Sequence, residues 1–465
     1  MLSIFDRTGK LHRRRLLTAG SLGLGSLSLP ALMGARANAL RGPNPVTGKS
    51  VIFLFQQGGP SQFETFDPKL EAPSATRTVS GAIRTDLPGV LFGATLARLS
   101  RLASKLTVVR SFQTNNGGHN IQPIVGPHSL ATNIGVHYAR VAGATHPATG
   151  MPTNAVLYPA AVDERVPGPM ARGNLASTGS YGAAWAPFVP GGNSQLQQDM
   201  RLAIDRKRLF ADRRRVLAQL DQLSRRFDAT GQLAATDQLQ RQAYDLLLGG
   251  RVARALDLSR EDPRTVARYD TRRFARKGAW DKVSRGRKGY YTAQAQTLGK
   301  LLLLARRLCE AGCGFVTIHA GYAGIWDMHA DGNNLNMVDG MEAVGRSFDH
   351  AVATFVDDVS ERGLDDQILL VVCGEMGRTP KINGNGGRDH WGRLSPLLLF
   401  GGGLDGGRVI GQSTPNGGEP IADPLTPRHL ISTIMHTVFD IGQLRLMPGI
   451  PPQLSQLSAA APITG

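Results

Sequence analysis

Five side chains that could bind an ion or transfer a proton follow an apolar segment, 368–373, within sixteen residues of one another. They are Glu375, Arg378, Arg388, Asp389 and His390. A β-branched run of six residues bounded by glycine is typical of a buried strand. In open α/β sheets, ligands bind beyond the carboxyl ends of the strands, so this loop is a candidate functional site. The alternative is a polar loop in which a buried carboxylate pairs with a nearby arginine.

A second polar loop has the same placement after an earlier predicted strand. The apolar segment 314–320 is followed by Asp327 and His329, and a predicted helix over 341–363 then leads into the strand described above. This order of elements is best explained as a right-handed parallel crossover. Asp327, His329 and His390 should therefore converge at one edge of the sheet. Asp, Glu and neutral His are ligands that a divalent zinc, manganese or calcium ion accepts.

Further strands are predicted in the first half of the chain. A buried run over 51–55 ends in Gln56, Gln57 and a glycine pair, and the predicted strand 106–112 precedes a glycine-rich polar loop with His119. The phosphate fingerprint G-x-G-x-x-G is absent, so a structural turn is the simplest explanation of the glycine pair. The alternation of strands and helices predicts an α/β fold with a largely parallel central sheet flanked by helices.

The first 39 residues predict a signal peptide rather than part of the fold. Arg13 and Arg14 precede a short apolar stretch, and an A-x-A processing site ends at Ala39. This pattern indicates a twin-arginine signal peptide over residues 1–39, and hence a periplasmic or otherwise exported protein. We expect no transmembrane segment in the mature chain, because no apolar stretch reaches the roughly 20 residues that a spanning helix needs.

The net charge of +17 is concentrated in the leader and in one helical segment. Residues 201–290 contain 23 Lys and Arg against 11 acidic residues. We therefore predict a basic helical insert at about 195–290 within a single domain that comprises residues 40–465. The insert lacks interleaved aromatic residues and a recognised binding motif, so a nucleic acid is not an expected partner. A solvated face near an anionic envelope surface is the better interpretation.

Several motifs along the chain together resemble the exported bacterial family called domain of unknown function 1501. They are GGPSQFETFDPK, LLLLARRLCEAGCGFVTI, WDMH, GEMGRTPKINGNGGRDHW and TPRHLISTI. The resemblance covers nearly the whole mature chain. That family is in turn similar to the alkaline phosphatase and sulfatase superfamily, which implies the fold of these enzymes and a divalent metal ion.

The wider resemblance also implies which residues bind the ion. In alkaline phosphatases and cofactor-independent phosphoglycerate mutases, an Asp and a following His precede a long helix, and the next strand ends in an Asp-His pair before a further His. Asp327 and His329, then Glu375 and then His390 match these positions. Asp389 is a further candidate ligand beside Glu375.

The chain departs from the superfamily pattern at three positions. Gln57 stands where the first strand should supply Asp, and Met376 replaces the second member of the strand-end pair. His119 lies in the loop where a Ser, Thr or modified Cys nucleophile is expected. One metal site is therefore expected, rather than the usual pair.

Two functions are compatible with these residues. The first is a metal-dependent hydrolase or transferase of phosphate or sulfate esters, with His119 as acid, base or nucleophile. Arg378 and Arg388 would clamp the anionic substrate, a small molecule or an envelope ester, in bidentate fashion. The second is a non-catalytic envelope binding protein that retains the fold and one ion. The missing ligands favour the second function, and the retained charged loops favour the first.

Overall fold

The computed structural model describes residues 44–191, 250–275, 278 and 280–463. The predicted signal peptide and most of the predicted basic insert lie outside the described residues. The chain divides into a large unit, Val46–Phe439 with Pro451–Gly465, and a small unit that includes Asp440–Ile450. The small unit contains one described helix, Ile441–Leu446, whose first turn is capped by the Asp440 carboxylate.

Eleven strands form in the described part of the chain. They are β1 (Ser50–Phe55), β2 (Ala82–Arg84), β3 (Leu91–Gly93), β4 (Thr107–Val109), β5 (Asn154–Leu157), β6 (Phe315–His319), β7 (Ile368–Cys373), β8 (Gly377–Arg378), β9 (His390–Trp391), β10 (Leu397–Gly401) and β11 (Arg408–Ile410). Seven of them make the central sheet in the order β11-β4-β10-β7-β1-β6-β5. Two small ladders, β2-β3 and β8-β9, are separate from it.

The helices of the described ranges complete the two units. They are α1 (Ile134–Ala142), α2 (Arg251–Leu256), α3 (Pro263–Arg268), α4 (Arg285–Glu310), α5 (Met337–Gly340), α6 (Arg346–Glu361), α7 (Pro427–Val438), α8 (Ile441–Leu446) and α9 (Pro452–Leu457). A π-helical turn, Met341–Gly345, joins α5 to α6. A 3-10 helix, Leu99–Lys105, precedes β4. None of these helices is both long and apolar enough to cross a membrane.

The sheet confirms the predicted α/β class with a largely parallel arrangement. β1 pairs in parallel with β6 and with β7, β5 pairs in parallel with β6, and β11 pairs in parallel with β4. The exception is β10, which is antiparallel to both of its neighbours. Every residue of β1, β6 and β7 is buried, as expected for strands that are covered on both faces.

Two long helices supply much of the core that covers this sheet. α4 packs on α6 and also contacts β1 and β6. The four leucines Leu301 to Leu304 of α4 are all fully buried, so this part of the helix is covered all round. Burial of each such side chain contributes about 1.5–3 kcal/mol. The chain passes from β6 through α6 to β7, with β1 inserted between the two strands.

The register of the sheet places three strand ends side by side. Phe55, the last residue of β1, is paired with His319 at the end of β6 and with Cys373 at the end of β7. The loops that follow these strands therefore start at one point on the carboxyl edge of the sheet. This is the edge at which ligands bind in parallel α/β sheets.

Candidate metal centre

The Asp327 carboxylate is surrounded by the Nε2 atoms of three histidines. His119 Nε2 lies 2.9 Å and His329 Nε2 lies 3.1 Å from Asp327 Oδ2. His390 Nε2 lies 3.0 Å from Asp327 Oδ1. We call His119, Asp327, His329 and His390 the histidine cluster. The loops after β4, β6 and β7 supply its members, so residues more than 200 positions apart meet at one point.

Short-range contacts fix the orientation of the carboxylate and of its neighbours. Arg378 NH2 donates to Asp327 Oδ1 over 2.7 Å, and Asn334 Nδ2 donates to Asp327 Oδ2 over 3.3 Å. The β8-β9 ladder pairs Arg378 with His390. This pairing folds the long loop that follows β7 back over the cluster. At Gly387 a Cβ atom would lie 2.5 Å from the backbone of His329, so only glycine permits this approach.

Glu375 lies behind His119 rather than among the atoms that meet at Asp327. Its Oε1 atom is 2.9 Å from His119 Nδ1 and also accepts a hydrogen bond from Gly58 N–H over 2.9 Å. The side chain is fully buried, and its Oε2 atom has no hydrogen-bond partner in the described part of the chain. The structure thus places this predicted ligand where it orients His119.

In His119 and His390, the hydrogen-bond partner of Nδ1 determines whether Nε2 of the neutral ring is a donor or an acceptor. His390 Nδ1 lies 3.0 Å from the Gly117 carbonyl oxygen, which can only accept, so Nδ1 carries a hydrogen. His119 Nδ1 faces Glu375 in the same way. In the neutral rings, both Nε2 atoms therefore direct a lone pair at an oxygen of Asp327. Two acceptors at this separation repel each other unless a proton or a metal ion lies between them.

Protonation of all the rings would crowd positive charge into a buried space. The His119 and His390 ring centroids are 4.5 Å apart, and those of His329 and His390 are 5.5 Å apart. Imidazolium rings at these separations repel each other more strongly than they would in bulk water. One divalent ion could replace several protons and use the same lone pairs.

The electrostatics of the cluster favour a cation. Burial alone would raise the pKa of Asp327, but hydrogen bonds from the three histidines and the charge of Arg378 hold it well below its usual range. Burial lowers the pKa of His119, but the hydrogen bonds with Asp327 and Glu375 outweigh it and raise that pKa. Burial raises the pKa of Glu375, against the influence of His119. Asp327 is therefore an anion that requires positive charge nearby.

The geometry of the cluster fits a divalent ion. One ligand atom from each of His119, Asp327 and His390 lies within 4.8 Å of the other two, and no other such group occurs in the described ranges. Ligand atoms about 2.0–2.2 Å from an ion lie roughly 3–3.5 Å apart. The carboxylate behind His119 and the carbonyl behind His390 match the hydrogen-bonding that metal-bound histidines show in proteins. His119, predicted as a catalytic group, is thus a candidate ligand as well.

Asp389 lies outside the histidine cluster. Its side chain is exposed and accepts a hydrogen bond from Asn383 Nδ2 over 3.0 Å. Successive side chains of extended chain point to opposite sides, so Asp389 and His390 cannot both reach the cluster. The structure therefore does not support the prediction of Asp389 as a ligand.

The two arginines that were predicted to clamp a substrate anion are not available to bind one. Arg378 and Arg388 are both fully buried. The Arg378 guanidinium donates to Gly59 O and to Arg388 O over 2.8 and 3.0 Å, in addition to Asp327. Arg388 pairs with Glu64 at 3.2 Å. Carbonyl oxygens and carboxylates of the chain already occupy these donors, so neither side chain can bind a substrate anion.

Gln57 and His319 form a neutral pair beside the cluster. His319 Nε2 donates to Gln57 Oε1 over 2.9 Å, and Gly321 N–H donates to His319 Nδ1 over 2.9 Å. Burial lowers the pKa of His319 to about 3, which keeps this ring uncharged. Gln57 Nε2 in turn donates to the His119 carbonyl over 3.1 Å. Gln57 therefore borders the cluster but supplies an amide where a second metal would need a carboxylate.

His319 and Asn334 were not among the predicted site residues. His319 is the last residue of a buried strand, a position that could have marked it. Asn334 is one polar residue among several in its loop, and nothing in the pattern distinguishes it. Met376 is fully buried.

Comparison with known proteins supports the family indicated by the motifs. Residues 48–446 match the model of a family described as "Protein of unknown function (DUF1501)". None of the curated proteins matches the chain significantly.

Solved structures show weak similarity over most of the chain. The PsFucS1 sulfatase from Pseudoalteromonas sp. is 11% identical, with 83% of this chain and 68% of that chain covered and a TM-score of 0.31. Ps i-CgsB is 9% identical, with 84% and 72% covered and a TM-score of 0.34. A structure of Ps i-CgsB in complex with k-i-k-neocarrahexaose is also 9% identical, with 86% and 75% covered and a TM-score of 0.34.

Proposed function

The chain belongs to the DUF1501 family, and we propose that it is an exported, metal-dependent hydrolase or transferase of phosphate or sulfate esters. The observation that supports this proposal is the meeting of His119 Nε2 and His390 Nε2 with the two oxygens of Asp327. Two imidazoles and one carboxylate favour zinc or manganese over calcium, which prefers oxygen ligands.

Three protein ligands leave a coordination position open, as in catalytic rather than structural zinc sites. A divalent ion bound there polarises an ester oxygen and lowers the pKa of a bound water toward neutrality. Glu375 holds the ring of His119, and the Gly117 carbonyl holds the ring of His390. Arg378 fixes the carboxylate of Asp327. These contacts keep the ligand atoms in place before substrate arrives.

His329 is the proposed proton donor to the leaving oxygen of the ester. Its side chain is 26% exposed, and its Nε2 atom lies 3.1 Å from Asp327 Oδ2. The hydrogen bond with Asp327 raises the pKa of His329. None of the described side chains that hydrogen-bond the histidine cluster is a Ser, Thr or Cys. Direct attack by water is therefore favoured over a covalent intermediate.

A non-catalytic binding protein is the second candidate function. The observation that favours it is the approach of His329 Nε2 to the same oxygen that His119 approaches. If His329 were a fourth ligand, the site would be closed, as in structural metal sites. The two candidates therefore differ in whether His329 binds the ion or a substrate.

Two variants of the mature protein separate these functions. His390→Ala should lose both the ion and the hydrolysis of 4-nitrophenyl phosphate or 4-nitrophenyl sulfate. His329→Ala should retain the ion and lose about 10²-fold or more in hydrolysis, because only the proton donor is removed. Loss of the ion from both variants would favour the closed site. A wild-type protein that binds no divalent ion would contradict both candidates.

Export is proposed from the predicted signal peptide, which lies outside the described residues. Replacement of Arg13 and Arg14 by lysine should leave uncleaved precursor in the cytoplasm, because the twin-arginine pathway requires both arginines. Immunoblots of cytoplasmic and periplasmic fractions would measure this. Normal processing of the double variant would contradict the twin-arginine route. An anionic ester from a small molecule or from the envelope is the proposed substrate, and nucleic acid is not.

A further inference from the structure

A short segment beside the histidine cluster contacts the loops after β1, β4 and β6, of which the last two supply residues of the cluster. We call residues 170–173 the rim segment. Met170 N–H donates to Gly321 O over 2.6 Å, and Ala323 N–H donates to Met170 O over 2.9 Å. Met170 is thereby bound to the loop that leads from β6 to Asp327.

Arg172 and Gly173 of the rim segment contact the loops after β1 and β4. Arg172 N–H donates to Gln57 Oε1 over 3.3 Å, and Gln57 Nε2 donates to Arg172 O over 3.1 Å. The same Nε2 atom also donates to His119 O. Gly173, with φ of +121°, approaches Ile121 so closely that a Cβ atom would lie 2.8 Å from its side chain. The position of Arg172 is thus set by its backbone.

The Arg172 side chain takes no part in this attachment. Arg172 is exposed, and its guanidinium has no hydrogen-bond or ion-pair partner within the described ranges. An anion that binds this guanidinium breaks no existing hydrogen bond or ion pair, and the fixed backbone confines the lost conformational freedom to the side chain. Its planar donors match the oxygens of a phosphate, sulfate or carboxylate.

A second arginine lies on the same side of the cluster. The Arg287 guanidinium is 4.8 Å above the ring of Tyr322, and its NH1 atom is 3.0 Å from Met170 Sδ. The Tyr322 hydroxyl donates to Asn334 Oδ1 over 3.3 Å, and Asn334 Nδ2 reaches Asp327. Burial raises the pKa of Tyr322, whereas the charges of Arg287 and Arg172 lower it. Arg287 therefore contacts the rim segment at Met170 and also a tyrosine that is hydrogen-bonded to Asn334 beside the cluster.

We propose that Arg172 and Arg287 form a subsite that binds an oxyanion group of the substrate next to the metal centre. The inference rests on the proposed function and identifies its substrates as esters with a phosphate, sulfate or carboxylate group within reach of these arginines. It gives the anion-binding role to exposed arginines, in place of the buried Arg378 and Arg388. Arg172 would bind the group directly, and Arg287 would add a second positive charge.

Anion binding by the mature protein tests this subsite. Calorimetric titration with sodium sulfate, and separately with inorganic phosphate, would be done at constant ionic strength, because salt screens exposed charges. Metal-loaded and metal-free protein are both measured. Arg172→Gln should weaken sulfate binding about 10-fold or more, because charge-assisted hydrogen bonds are lost. Arg172→Lys should lie between that variant and the wild type, and Arg287→Gln should show a smaller loss.

Arg165→Gln is the matched control, because Arg165 is also exposed and its replacement removes the same charge. Its side chain is 89% exposed and already pairs with Asp163. We expect its sulfate affinity to stay within about twofold of wild type, since exposed charges contribute little. Arg172→Gln and Arg172→Lys should keep the wild-type melting temperature, because the Gln57 contacts involve only the Arg172 backbone.

Two outcomes would overturn the subsite. One is equal sulfate and phosphate affinity in Arg172→Gln and Arg165→Gln, and the other is no anion binding by the wild type at about 10 mM of either anion. Failure of the proposed function has a different signature. A protein without a divalent ion, whose sulfate binding still depends on Arg172, would remove the metal and keep the subsite.

Discussion

Two buried clusters of charged groups lie at opposite edges of the sheet and differ in the cations that surround their carboxylates. The histidine cluster follows the carboxyl ends of β4, β6 and β7. The other cluster lies at the last turns of α4 and α6, which precede the starts of β6 and β7. We call it the arginine network, and it comprises Glu261, Arg306, Arg307, Asp358 and Arg362.

In the arginine network, both carboxylates are paired with guanidinium groups. Arg306, whose side chain is 1% exposed, lies 2.6 Å from Glu261 Oε2 and 2.9 Å from Asp358 Oδ2. Arg362 Nε donates to Asp358 Oδ1 over 2.8 Å. A guanidinium is charged at every pH at which proteins fold, and it offers no lone pair to a metal. The cations of this network therefore offer a metal ion no ligand atom.

The charge of the histidine cluster depends on whether protons or a metal ion are bound to it. Its rings can hold protons or release them, and a released proton exposes a lone pair that an ion can use. Both clusters are buried and both contain carboxylates, so burial of charge does not distinguish a structural cluster from a candidate functional one. The clusters differ in the groups around their carboxylates, which are histidines in one and arginines in the other.

The largest expected effect is the loss of the ion from Asp327→Asn. The amide keeps the shape of the side chain but removes the charge that two histidines and an ion share. Metal analysis after dialysis should find no stoichiometric divalent ion in this variant. Asp358→Asn is the matched control, because it changes a buried carboxylate of the arginine network and should retain the ion. Equal metal content in both variants would show that the two clusters do not differ in metal binding.

Arg306→Leu should affect the other cluster and only its stability. Removal of the guanidinium leaves Glu261 and Asp358 partly unpaired in a buried place, which costs about 3–5 kcal/mol. Denaturant unfolding of the metal-loaded protein would measure the loss, with metal content unchanged. Arg408→Gln, which breaks the exposed pair with Asp405, should cost less than about 1 kcal/mol. A similar small cost for Arg306→Leu would show that the network is not structural.

Glu375→Gln should produce a smaller effect on the histidine cluster. Glu375 orients His119 without contacting the ion, and loss of such a partner lowers metal affinity about 10–100-fold. Chelator competition would give the affinity, and thermal melting of the metal-free protein would give the change in stability. Unchanged affinity with a large fall in melting temperature would make Glu375 a purely structural partner of His119.

The pH dependence of stability should differ with and without the ion. In the metal-free protein the raised pKa of His119 means that the folded state holds this proton more tightly than the unfolded chain, with its ordinary pKa of 6.5. That stabilisation is complete below pH 6.5 and is lost as pH rises through the folded pKa. Melting temperatures of the metal-free protein should therefore fall toward pH 8, whereas added ion should remove the fall.

Arg306→Leu serves as the control for this dependence. Burial raises the pKa of Glu261, but Arg307 and Arg306 outweigh it and lower that pKa, so the network contributes stability above the ordinary value of 4.5. Its contribution is lost only as pH falls below that value. The variant should therefore keep the wild-type slope between pH 6 and 8. A flat slope in the metal-free wild type would contradict the proton-binding role of the cluster.

The positions of the loops that form the histidine cluster could be predicted from sequence, but the roles of the arginines could not. Asp327, His329 and His390 follow buried strands, and parallel strands end at one edge, so topology alone brings them together. Arg378 and Arg388 follow a buried strand as well. Whether such an arginine faces solvent depends on the backbone carbonyls and carboxylates that other loops supply. Those partners, Gly59 and Glu64, are more than 300 residues away along the chain.

The same limitation explains why Arg172 was not predicted. It lies in a region rich in Gly, Pro and Ala, where no periodicity marks a structural element. Its fixed position comes from the amide of Gln57, a residue that was noted for the carboxylate it lacks. A departure from a family pattern therefore indicated an absent ligand, but it gave no sign of the hydrogen bonds formed in its place.

The central position of β1 has a consequence for how the protein is made. Val51 pairs with Phe315 of β6 and with Leu369 of β7, so the middle of the sheet joins segments that are far apart along the chain. At about 5–20 residues per second, a ribosome needs roughly 13–50 s to synthesise the intervening chain up to β6. During that time β1 has neither of its neighbours, and its apolar residues are exposed to aggregation. Contacts this distant also make folding slow once synthesis ends. The proposed twin-arginine route, which carries folded proteins, would give the sheet time to assemble in the cytoplasm before export.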